Sequence, residues 1–369
     1  MKTLIIDIRP LLPKNPPGGV PEYTRQITKA MLGIIKKKQL PLRVFLFSSG
    51  SEKPQLDFLA PRQKHFYHYH LNVPNRLLNA SFKTLNYPKI DNKILNTKYK
   101  IQDTIFFAPN INLFPLSRRA TLVVTFHDLS FERYPFFLKR RERMWHRAIN
   151  PSDIASRADK IIAVSESTKQ DLISLYEVEP RKIEVIYSGV GDEFKPKIQD
   201  TRYPPSPRLR RAGKLQAILY LGSQEGRKNV EVLKRAFTMV KRKLARHNLR
   251  LMLMGPPQNP VSSQKRLELY QNASLFVYPS VFEGFGLPPL EAMACGVPVI
   301  TSNTSSLPEA VCDAALMVNP HKVYELASAM ESLLTDEKLR SHYIQKGLER
   351  VKEFSWERTA EQTLKVLLT

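Results

Sequence analysis

Cysteine, long apolar runs and acidic side chains are all scarce in this sequence. Two cysteines among 369 residues are too few for a disulfide framework or a cysteine-rich zinc site. Cys295 and Cys312 both lie in apolar stretches, so we expect buried free thiols in a reducing, cytoplasmic compartment. No stretch of about 18 uninterrupted apolar residues is present, which predicts that no segment spans a membrane. Asp7 and Arg9 interrupt the short apolar run at the start of the chain, which is not the pattern of a signal peptide.

The shortage of acidic residues leaves the chain strongly basic. There are 57 Lys and Arg against 34 Asp and Glu, a formal net charge of +23. Such a chain is expected to seek anionic partners, namely nucleic acid, phosphorylated metabolites or an anionic membrane. No recognised nucleic-acid-binding motif is present, so we expect no specific nucleic-acid partner. Between Lys139 and Arg147, basic residues mix with apolar ones in a pattern that fits either a membrane-surface helix or a solvated helix face.

Short apolar runs alternate with helical spacing along most of the chain, which predicts βαβ units and mostly parallel sheets. The length fits two domains at roughly 100–200 residues each. We expect an α/β protein of two doubly wound, Rossmann-like domains that face a cleft, with ligands at the carboxyl ends of the strands. The predicted parts are a first domain at 1–195, a Pro- and Arg-rich linker at 196–214, a second domain at 215–355, and a C-terminal helix at 356–369 that packs back on the first domain. The stretch Ser51–Asp103 is rich in Asn, Tyr, His and Lys, and we expect loops and short helices there.

The most informative segment runs from Tyr278 to Ile300 and has the sequence YPSVFEGFGLPPLEAMACGVPVI. A buried strand is predicted to end at Pro279, and Pro288 suits the first turn of the helix that follows the Gly-containing loop. The start of a helix favours a bound anion. Glu283 and Glu291 could aim carboxylates at hydroxyl groups near that anion, and a phosphate with hydroxyls suggests a sugar nucleotide. Alternatively, Glu283 caps the next helix.

A second motif, Leu221–Asn229, joins a predicted strand to a helix that Asn229 could cap. Arg227 and Lys228 lie where a pyrophosphate would need positive charge, since Arg offers a bidentate fork and Lys a point charge. An Arg-Lys pair by itself is more often a solvated surface pair. The sequence contains no Asp-x-Asp motif that would hold a metal ion.

A third group of motifs lies in the first domain. His127 ends a predicted strand, although a lone His is more often structural than catalytic. Gly18 and Gly19 form a pair that many turns contain, so they are weak evidence by themselves. Ser165 and Ser167 are interpreted as helix caps rather than as nucleophiles.

Together these motifs closely resemble those of retaining glycosyltransferase family 4, whose members have the GT-B fold; the resemblance covers most of the chain and includes two glutamates at the spacing of Glu283 and Glu291. It implies that Glu283 contacts the donor sugar and Glu291 the nucleotide ribose. It implies that Arg227 and Lys228 stabilise the departing diphosphate, and that His127 lies near the donor sugar and supports catalysis. The remaining implied donor contacts are Gly18 and Gly19, near the phosphate, and the amides of Gly284, Phe285, Gly286 and Leu287.

The resemblance also implies a reaction. A hexose, with mannose as the first guess, is transferred with retention from a nucleoside-diphosphate sugar to a saccharide or lipid-linked acceptor in the synthesis of cell-surface polysaccharide. The leaving phosphate helps to deprotonate the acceptor, and neither a cofactor nor a metal is required beyond the nucleotide-sugar co-substrate. Since similar enzymes act on membrane-proximal saccharides, the basic segment favours peripheral contact with the inner face of an anionic membrane.

One region departs from the family. Between Gly255 and Leu269 few residues are present, where family members carry an additional helix and strand that help to bind the nucleotide base. The second domain is therefore expected to be shortened. The alternative function is a catalytically impaired homologue that acts as a binding or partner subunit.

Overall fold

The computed structural model describes residues 1–13, 18–58, 65–95, 104–197, 216–245, 248–256 and 261–369. The predicted linker at 196–214 lies outside this part of the chain except for its first two residues. The chain forms two compact units: unit 1 comprises Met1–Ser188 with Trp356–Thr369, and unit 2 comprises Gly189–Ser355. Residues 189–195, which were predicted to end the first domain, lie in unit 2, because Val190 pairs with Ser355 and its amide donates to the carbonyl of Phe354 at 3.2 Å.

Unit 1 is built on a parallel sheet with the strand order β3-β2-β1-β4-β5-β6-β7 within the described residues. The chain adds β2 and β3 on one side of β1 and then returns to place β4 on the other side. All strands stay parallel, but the direction in which successive strands are added across the sheet reverses between β1 and β4. Open α/β sheets bind ligands at this position. The strands are β1 (Lys2–Asp7), β2 (Leu42–Ser49), β3 (Phe66–Leu71), β4 (Thr104–Ala108), β5 (Thr121–Phe126), β6 (Lys160–Ala163) and β7 (Ile183–Val185).

The helices of unit 1 follow from their sequences as amphipathic segments with one buried face. α1 buries Ile27, Met31 and Ile35 at helical spacing, and α7 begins where the Ser165 hydroxyl accepts a hydrogen bond from the Thr168 amide at 3.0 Å. The predicted capping role of Ser165 is therefore confirmed. The helices are α1 (Gly19–Lys37), α2 (Asn75–Thr84), α3 (Ile90–Leu95), α4 (Ser130–Arg133), α5 (Arg140–Ile149), α6 (Pro151–Arg157) and α7 (Glu166–Tyr176), with the last helix of the chain, Trp356–Leu368, packed against α1.

Unit 2 repeats the design with a smaller parallel sheet, ordered β12-β11-β10-β8-β9 within the described residues. The direction in which successive strands are added reverses between β8 and β10. The strands are β8 (Gln216–Leu221), β9 (Leu249–Met254), β10 (Leu275–Tyr278), β11 (Val299–Ser302) and β12 (Leu316–Val318). The helices are α8 (Val230–Leu244), α9 (Ser263–Asn272), α10 (Leu287–Ala294), α11 (Leu307–Val311), α12 (Val323–Thr335) and α13 (Glu337–Arg350), and the helix Trp356–Leu368 of unit 1 is α14.

The expected doubly wound α/β architecture is confirmed, with two local differences. Residues 66–71, which were expected in loops or short helices, form the edge strand β3, whose side chains are only partly buried or exposed. An edge strand needs no continuous apolar run, which explains why its Tyr- and His-rich sequence was not predicted as a strand. Cys312 was predicted to be buried and is exposed, whereas Cys295 is buried as expected.

The region predicted to be short is indeed compact. Within its described residues, 248–256 and 261–278, the connection from β9 to β10 holds the single helix α9 and no strand. α9 starts where the Ser262 hydroxyl accepts from the Lys265 amide at 3.2 Å. Its last turn carries Tyr270, which is fully buried. α9 therefore packs one face against unit 2, through Leu269 and Tyr270, and leaves Gln264 and Lys265 exposed.

None of the described helices combines the length and the apolar character needed to cross a membrane.

Candidate active site

Two strand ends that meet at the reversal point of the unit 2 sheet carry the predicted site residues. A single 3₁₀ turn, Gly226–Lys228, follows β8, and the loop that contains Glu283 follows β10. β8 and β10 are hydrogen-bonded neighbours, so their carboxyl ends lie side by side. The Val281 amide donates to the Arg227 carbonyl at 2.8 Å and joins the two loops directly. Arg227, Lys228 and Glu283 are thereby brought together as the sequence predicted.

Lys228 and Glu283 form a buried ion pair. The Lys228 ammonium donates to Glu283 Oε1 at 2.6 Å and to Oε2 at 2.9 Å, and it donates to the Tyr278 hydroxyl at 2.9 Å. The two residues are 7% and 8% exposed. The Glu283 side chain does not cap the next helix, because its carboxylate binds Lys228 instead of helix amides. The pair is held in place from both strands, through the turn after β8 and the end of β10.

Burial and charge act in opposite directions on this pair. Burial disfavours the Glu283 carboxylate, but Lys228 and Arg227 together outweigh that effect and hold the pKa of Glu283 below its usual value. Burial and the neighbouring Arg227 lower the pKa of Lys228, while Glu283 partly restores it. Burial, reinforced by the charge of Glu283, raises the pKa of Tyr278 well above its ordinary value, so its hydroxyl stays protonated. The cluster therefore holds two cations around one carboxylate.

Arg227 lies at the edge of this cluster. One guanidinium nitrogen, Nη1, donates to the Phe282 carbonyl at 3.0 Å and to Glu283 Oε2 at 3.4 Å. The Arg227 side chain is 20% exposed. Its Nε lies 3.3 Å from a carboxylate oxygen of Glu225, which is largely exposed. Because Arg227 is more accessible than Lys228, it is the cation that an incoming anion would meet first.

The loop between Glu283 and α10 has a shape that glycine makes possible. Gly286 has a φ of +112°, and a Cβ at this position would lie 2.8 Å from Leu307 Cδ2. Both facts disfavour any other residue here. The Ser306 hydroxyl donates to the carbonyls of Glu283 and Phe285 at 2.9 and 3.0 Å, and the Glu283 amide donates to the Ser305 hydroxyl at 2.9 Å. The loop is therefore pinned at both of its ends.

α10 begins directly after this loop. Leu287 is its first residue and Pro288 occupies the first turn, as predicted, where the missing N–H of proline has no consequence. The first amides of a helix have no acceptors within the helix, and the helix dipole favours an anion near them. Gly284, Gly286 and Leu287 thus lie between the ion pair and a helix start, which is a suitable arrangement for a phosphate.

Glu291 lies in the middle of α10 and is buried. One of its carboxylate oxygens accepts a hydrogen bond from the Tyr270 hydroxyl at 2.9 Å, and the other lies 3.3 Å from an Arg266 nitrogen. Arg266 and Tyr270 occupy one face of α9 at i and i+4 spacing. The helix of the shortened region therefore contacts Glu291, the residue that was predicted to bind the ribose. Arg266 also lies over the Phe194 ring, 5.0 Å from its centroid.

Unit 1 holds the remaining predicted residues. His127 follows β5, is partly buried, and has Nε2 at 2.9 Å from the Pro109 carbonyl, which identifies Nε2 as the protonated nitrogen. The Tyr23 ring meets the imidazole edge-on at 4.7 Å. Burial lowers the pKa of His127, and the contacts with Pro109 and Asp128 only partly offset this. Gly18 and Gly19 form the start of α1, where a side chain on Gly19 would meet nothing within 4 Å.

Several contributors to the site give no signal in the sequence. Tyr278 is the last residue of β10, and its hydroxyl binds Lys228, but a strand tyrosine gives no signal of this. Ser306 and Tyr270 act through contacts distant in sequence, at 21 to 23 residues from their partners. Asn229 occupies the N-cap position of α8, as predicted, but its side chain makes no capping bond. Its side-chain amide donates instead to the carbonyls of Pro279 and Pro320 at 3.2 and 2.6 Å, and so ties the turn after β8 to two other loops.

Within the described residues, no group of three or more His, Cys, Asp or Glu side chains is arranged to hold a metal ion.

Comparisons with known proteins identify the family. Residues 17–194 match the profile of Glycosyltransferase Family 4, and residues 258–350 match that of Glycosyl transferases group 1. O-antigen chain mannosyltransferase B of Escherichia coli is 32% identical over 286 residues, which are 71% of this chain and 74% of that protein.

Solved structures support the fold independently. Sucrose-phosphate synthase from Thermosynechococcus elongatus aligns over 99% of this chain and 98% of its own, with a TM-score of 0.73 and 21% identity. HepE from Anabaena, in complex with UDP-glucose, aligns over 100% of both chains with a TM-score of 0.64 and 15% identity. At these identities the likeness shows the fold alone. Both halves match family profiles and most of the length matches a 32% identical relative, so the chain belongs to glycosyltransferase family 4 and is a glycosyltransferase of GT-B fold.

Proposed function

We propose that this protein transfers a hexose, with mannose as the first candidate, from a nucleoside-diphosphate sugar to a saccharide or lipid-linked acceptor. The reaction retains the configuration at the anomeric carbon and serves the synthesis of cell-surface polysaccharide. Support for mannose comes from the relative that is named an O-antigen chain mannosyltransferase. The observation that carries the proposal is the buried cluster of Arg227, Lys228 and Glu283 at the reversal point of the unit 2 sheet.

The hydrogen bonds of Lys228 support a specific binding step. Its ammonium has three N–H donors, and the contacts with Glu283 Oε1, Glu283 Oε2 and Tyr278 use all three. A donor diphosphate therefore gains Lys228 only if at least one of these three bonds is exchanged. Exchange of a bond to Glu283 frees a carboxylate lone pair to accept a hydrogen bond from a hydroxyl of the donor sugar. Arg227 and the start of α10 supply further positive charge for the diphosphate; Pro288 and Pro289 carry no N–H, so Leu287 is the one amide donor among the first three residues of this helix.

In the chemical step, negative charge develops on the leaving diphosphate. The bond between the anomeric carbon and the phosphate oxygen breaks, and the electron pair leaves with the diphosphate. The acceptor hydroxyl attacks from the same face, and its proton passes to the leaving phosphate oxygen. Arg227 and Lys228 stabilise the extra negative charge on the diphosphate, which is the role that a metal ion has in other transferases. We assign Glu291 to the ribose hydroxyls on the basis of the family resemblance.

His127, Gly18 and Gly19 belong to unit 1, and their parts in donor binding are proposed from the family resemblance. A His127 that is neutral at pH 7 suits a hydrogen-bonding role toward a sugar hydroxyl better than that of a cation. The protein is proposed to act in the cytoplasm, at the inner face of an anionic membrane. The exposed side chains of Phe136, which precedes the basic helix α5, and of Met144 within that helix support that location.

A donor screen tests this proposal. The protein is incubated with GDP-mannose and with UDP- and ADP-sugars, together with a mannose-containing oligosaccharide, and the release of nucleoside diphosphate is measured with and without EDTA. One donor should give release that EDTA leaves unchanged, and the ¹H NMR spectrum of the product should show the anomeric configuration of the donor. Binding of a nucleoside diphosphate without turnover of any donor would favour the alternative of an impaired binding subunit. An inverted product would contradict retention.

A further inference from the structure

The helix α9 lies against Glu291 within unit 2. Arg266 and Tyr270 stand one turn apart on α9, and both contact the Glu291 carboxylate from that face of the helix. Glu291 itself lies in the middle of α10, and its side chain is 6% exposed. The orientation of this buried carboxylate therefore depends on α9 as well as on its own helix.

Tyr270 holds one oxygen of the carboxylate. Its hydroxyl donates to Glu291 Oε2 at 2.9 Å, and the residue is completely buried. Burial, reinforced by the charge of Glu291, raises the pKa of Tyr270 well above its ordinary value, so the hydroxyl stays protonated and remains a donor. The Tyr270 ring meets the rings of Phe194 and Phe276 edge-on, with centroids 5.9 and 5.5 Å away. These rings fix the position of the donor.

Arg266 stands beside the other oxygen. Its Nη1 lies 3.3 Å from Glu291 Oε1, and the guanidinium lies over the buried Phe194 ring, 5.0 Å from its centroid. A buried carboxylate is unfavourable unless a cation and hydrogen-bond donors accompany it. Arg266 supplies that cation, and an ionised carboxylate accepts hydrogen bonds more strongly than a neutral group does.

α9 has an attachment of its own at its last turn. The Gln271 side-chain amide donates to the Lys195 carbonyl at 2.9 Å. Phe194 is the chain neighbour of Lys195, so one short segment supports both the Arg266 guanidinium and the end of α9. Side chains that are locked by such packing and hydrogen bonds can hold another group in a defined geometry.

The orientation of a carboxylate matters for what it can bind. A carboxylate turns readily about its terminal bond, and each turn changes the directions in which its lone pairs point. Donors on both oxygens oppose that rotation. Ribose carries two hydroxyls on neighbouring carbons, and a carboxylate that is already oriented toward them binds them with a smaller loss of entropy.

We infer that Arg266 and Tyr270 are positioning residues for Glu291, which set how strongly the nucleotide site distinguishes ribose from a sugar that lacks the 2′ and 3′ hydroxyls. The assignment of Glu291 to the ribose rests on the proposed function; the contacts through which α9 orients Glu291 do not. Arg266 and Tyr270 act through Glu291 rather than on the nucleotide itself. The compact connection between β9 and β10 thereby gains a part in nucleotide selectivity.

Calorimetry on the full chain tests the inference without any acceptor. The probes are GDP, UDP and ADP with their 2′,3′-dideoxy counterparts. The quantity compared is the ratio of the dideoxy to the ribo dissociation constant, for the base that the wild type binds most tightly. In the wild type this ratio should be at least about 10, as the loss of hydrogen bonds to a charged group predicts.

The variants should lower this ratio in a graded way. Tyr270→Phe keeps the ring and removes the hydroxyl, and it should reduce the ratio at least about threefold. Arg266→Leu should reduce it by at least as much, and Arg266→Lys should restore part of it, because the charge returns without the planar fork. Affinity for the dideoxy nucleotide should stay near the wild-type value, since that nucleotide offers Glu291 no ribose hydroxyl. A merely structural defect would weaken both nucleotides alike.

Arg350→Leu is the matched control. Arg350 of α13 also pairs with a glutamate, at 2.7 Å from Glu353, and also lies over a phenylalanine ring, 4.8 Å from the Phe354 centroid. Its replacement should leave the ratio unchanged, even where it lowers the melting temperature.

Three results would overturn the inference while leaving the transfer reaction intact. They are a wild type that binds ribo- and dideoxynucleotides equally, Tyr270→Phe and Arg266→Leu variants that keep the wild-type ratio or weaken both nucleotides alike, and an Arg350→Leu variant that lowers the ratio as much as they do. A wild type that binds no nucleoside diphosphate would overturn the inference together with the proposed function. The two failures are therefore distinguishable.

Discussion

At the scale of single residues, the buried contact between Lys228 and Glu283 is the feature on which most of the account depends. Two charges are removed from water, which is unfavourable unless each finds its partner and further hydrogen bonds. Tyr278 and Arg227 supply those additional contacts. Such a pair is weak evidence for stability, and a phosphate that replaces Glu283 as the partner of Lys228 would keep the ammonium paired.

Loss of the lysine should therefore be costly. Lys228→Met leaves the Glu283 carboxylate buried with Arg227 as its remaining cation, and we expect the free energy of unfolding to fall by about 3 kcal/mol. Lys234→Met is the matched control, since Lys234 forms an exposed pair with Glu231 on α8 and should change stability by less than about 0.5 kcal/mol. Urea unfolding at pH 7 measures both. Equal effects of the two substitutions would contradict the buried-pair account.

The protonation of His127 gives a second prediction at this scale. Burial holds its pKa below 6.5 in the folded protein, so the folded state binds its proton less tightly than the unfolded state does. The contribution to stability is therefore complete above about pH 6.5 and declines as the pH falls toward the folded-state pKa. An NMR titration of the imidazole, assigned by comparison with His127→Asn, should give a midpoint below 6.5. A midpoint at or above 6.5 would mean that the residue is cationic near neutrality.

At the scale of elements, apolar periodicity was sufficient to predict the sheet strands that are buried on both faces, such as β4 at Thr104–Ala108. It failed at the edge strand β3, because an edge strand needs no continuous apolar run. In the candidate site, too, some features could be predicted from the sequence and others could not. The loops after β8 and β10 could be predicted from their motifs. The side-chain contacts of Tyr278, Ser306 and α9 could not, because they depend on which residues folding brings together across the chain.

The loop before α10 provides a test at this scale. Gly286→Ala places a Cβ against Leu307 on a backbone with positive φ, and we expect a loss of about 1–3 kcal/mol of stability together with weaker binding of nucleoside diphosphate. Gly33→Ala is the control, because Gly33 lies within α1 with open space around it and alanine favours helices by up to about 1 kcal/mol. Thermal unfolding and calorimetry with GDP and UDP measure these effects. Unchanged stability and affinity in Gly286→Ala would show that the loop shape is not required.

At the scale of the whole molecule, the net charge of +23 far exceeds what one diphosphate needs. Arg227 and Lys228 account for only a small part of it. The basic helix α5 is exposed along almost its whole length, with Ile149 its one buried residue. Charge of this kind acts over a distance of about 10 Å at moderate ionic strength and is suited to an anionic surface.

Vesicle flotation tests that interpretation. Vesicles that contain phosphatidylglycerol should carry the protein to the top of a gradient at low salt, and neutral phosphatidylcholine vesicles should not. Replacement of Arg140, Arg141 and Arg143 by serine should lower the affinity for these vesicles on the order of 100-fold, as the loss of roughly 1 kcal/mol for each of three basic residues predicts. Replacement of Lys338, Lys346 and Lys352 of unit 2 removes the same charge elsewhere and is the control. Equal losses in both triple variants would point to net charge rather than to α5.

The central claim is that the ion-pair cluster of unit 2 carries out glycosyl transfer. It is tested most directly by the initial rate of nucleoside-diphosphate release from the preferred donor in the wild type and in Glu283→Gln, with Glu231→Gln as the exposed control. The rate should fall at least about 100-fold in Glu283→Gln and stay unchanged in the control, because a neutral amide neither forms an ion pair with Lys228 nor accepts as strongly from the donor sugar. A Glu283→Gln enzyme that is as fast as the wild type would contradict it.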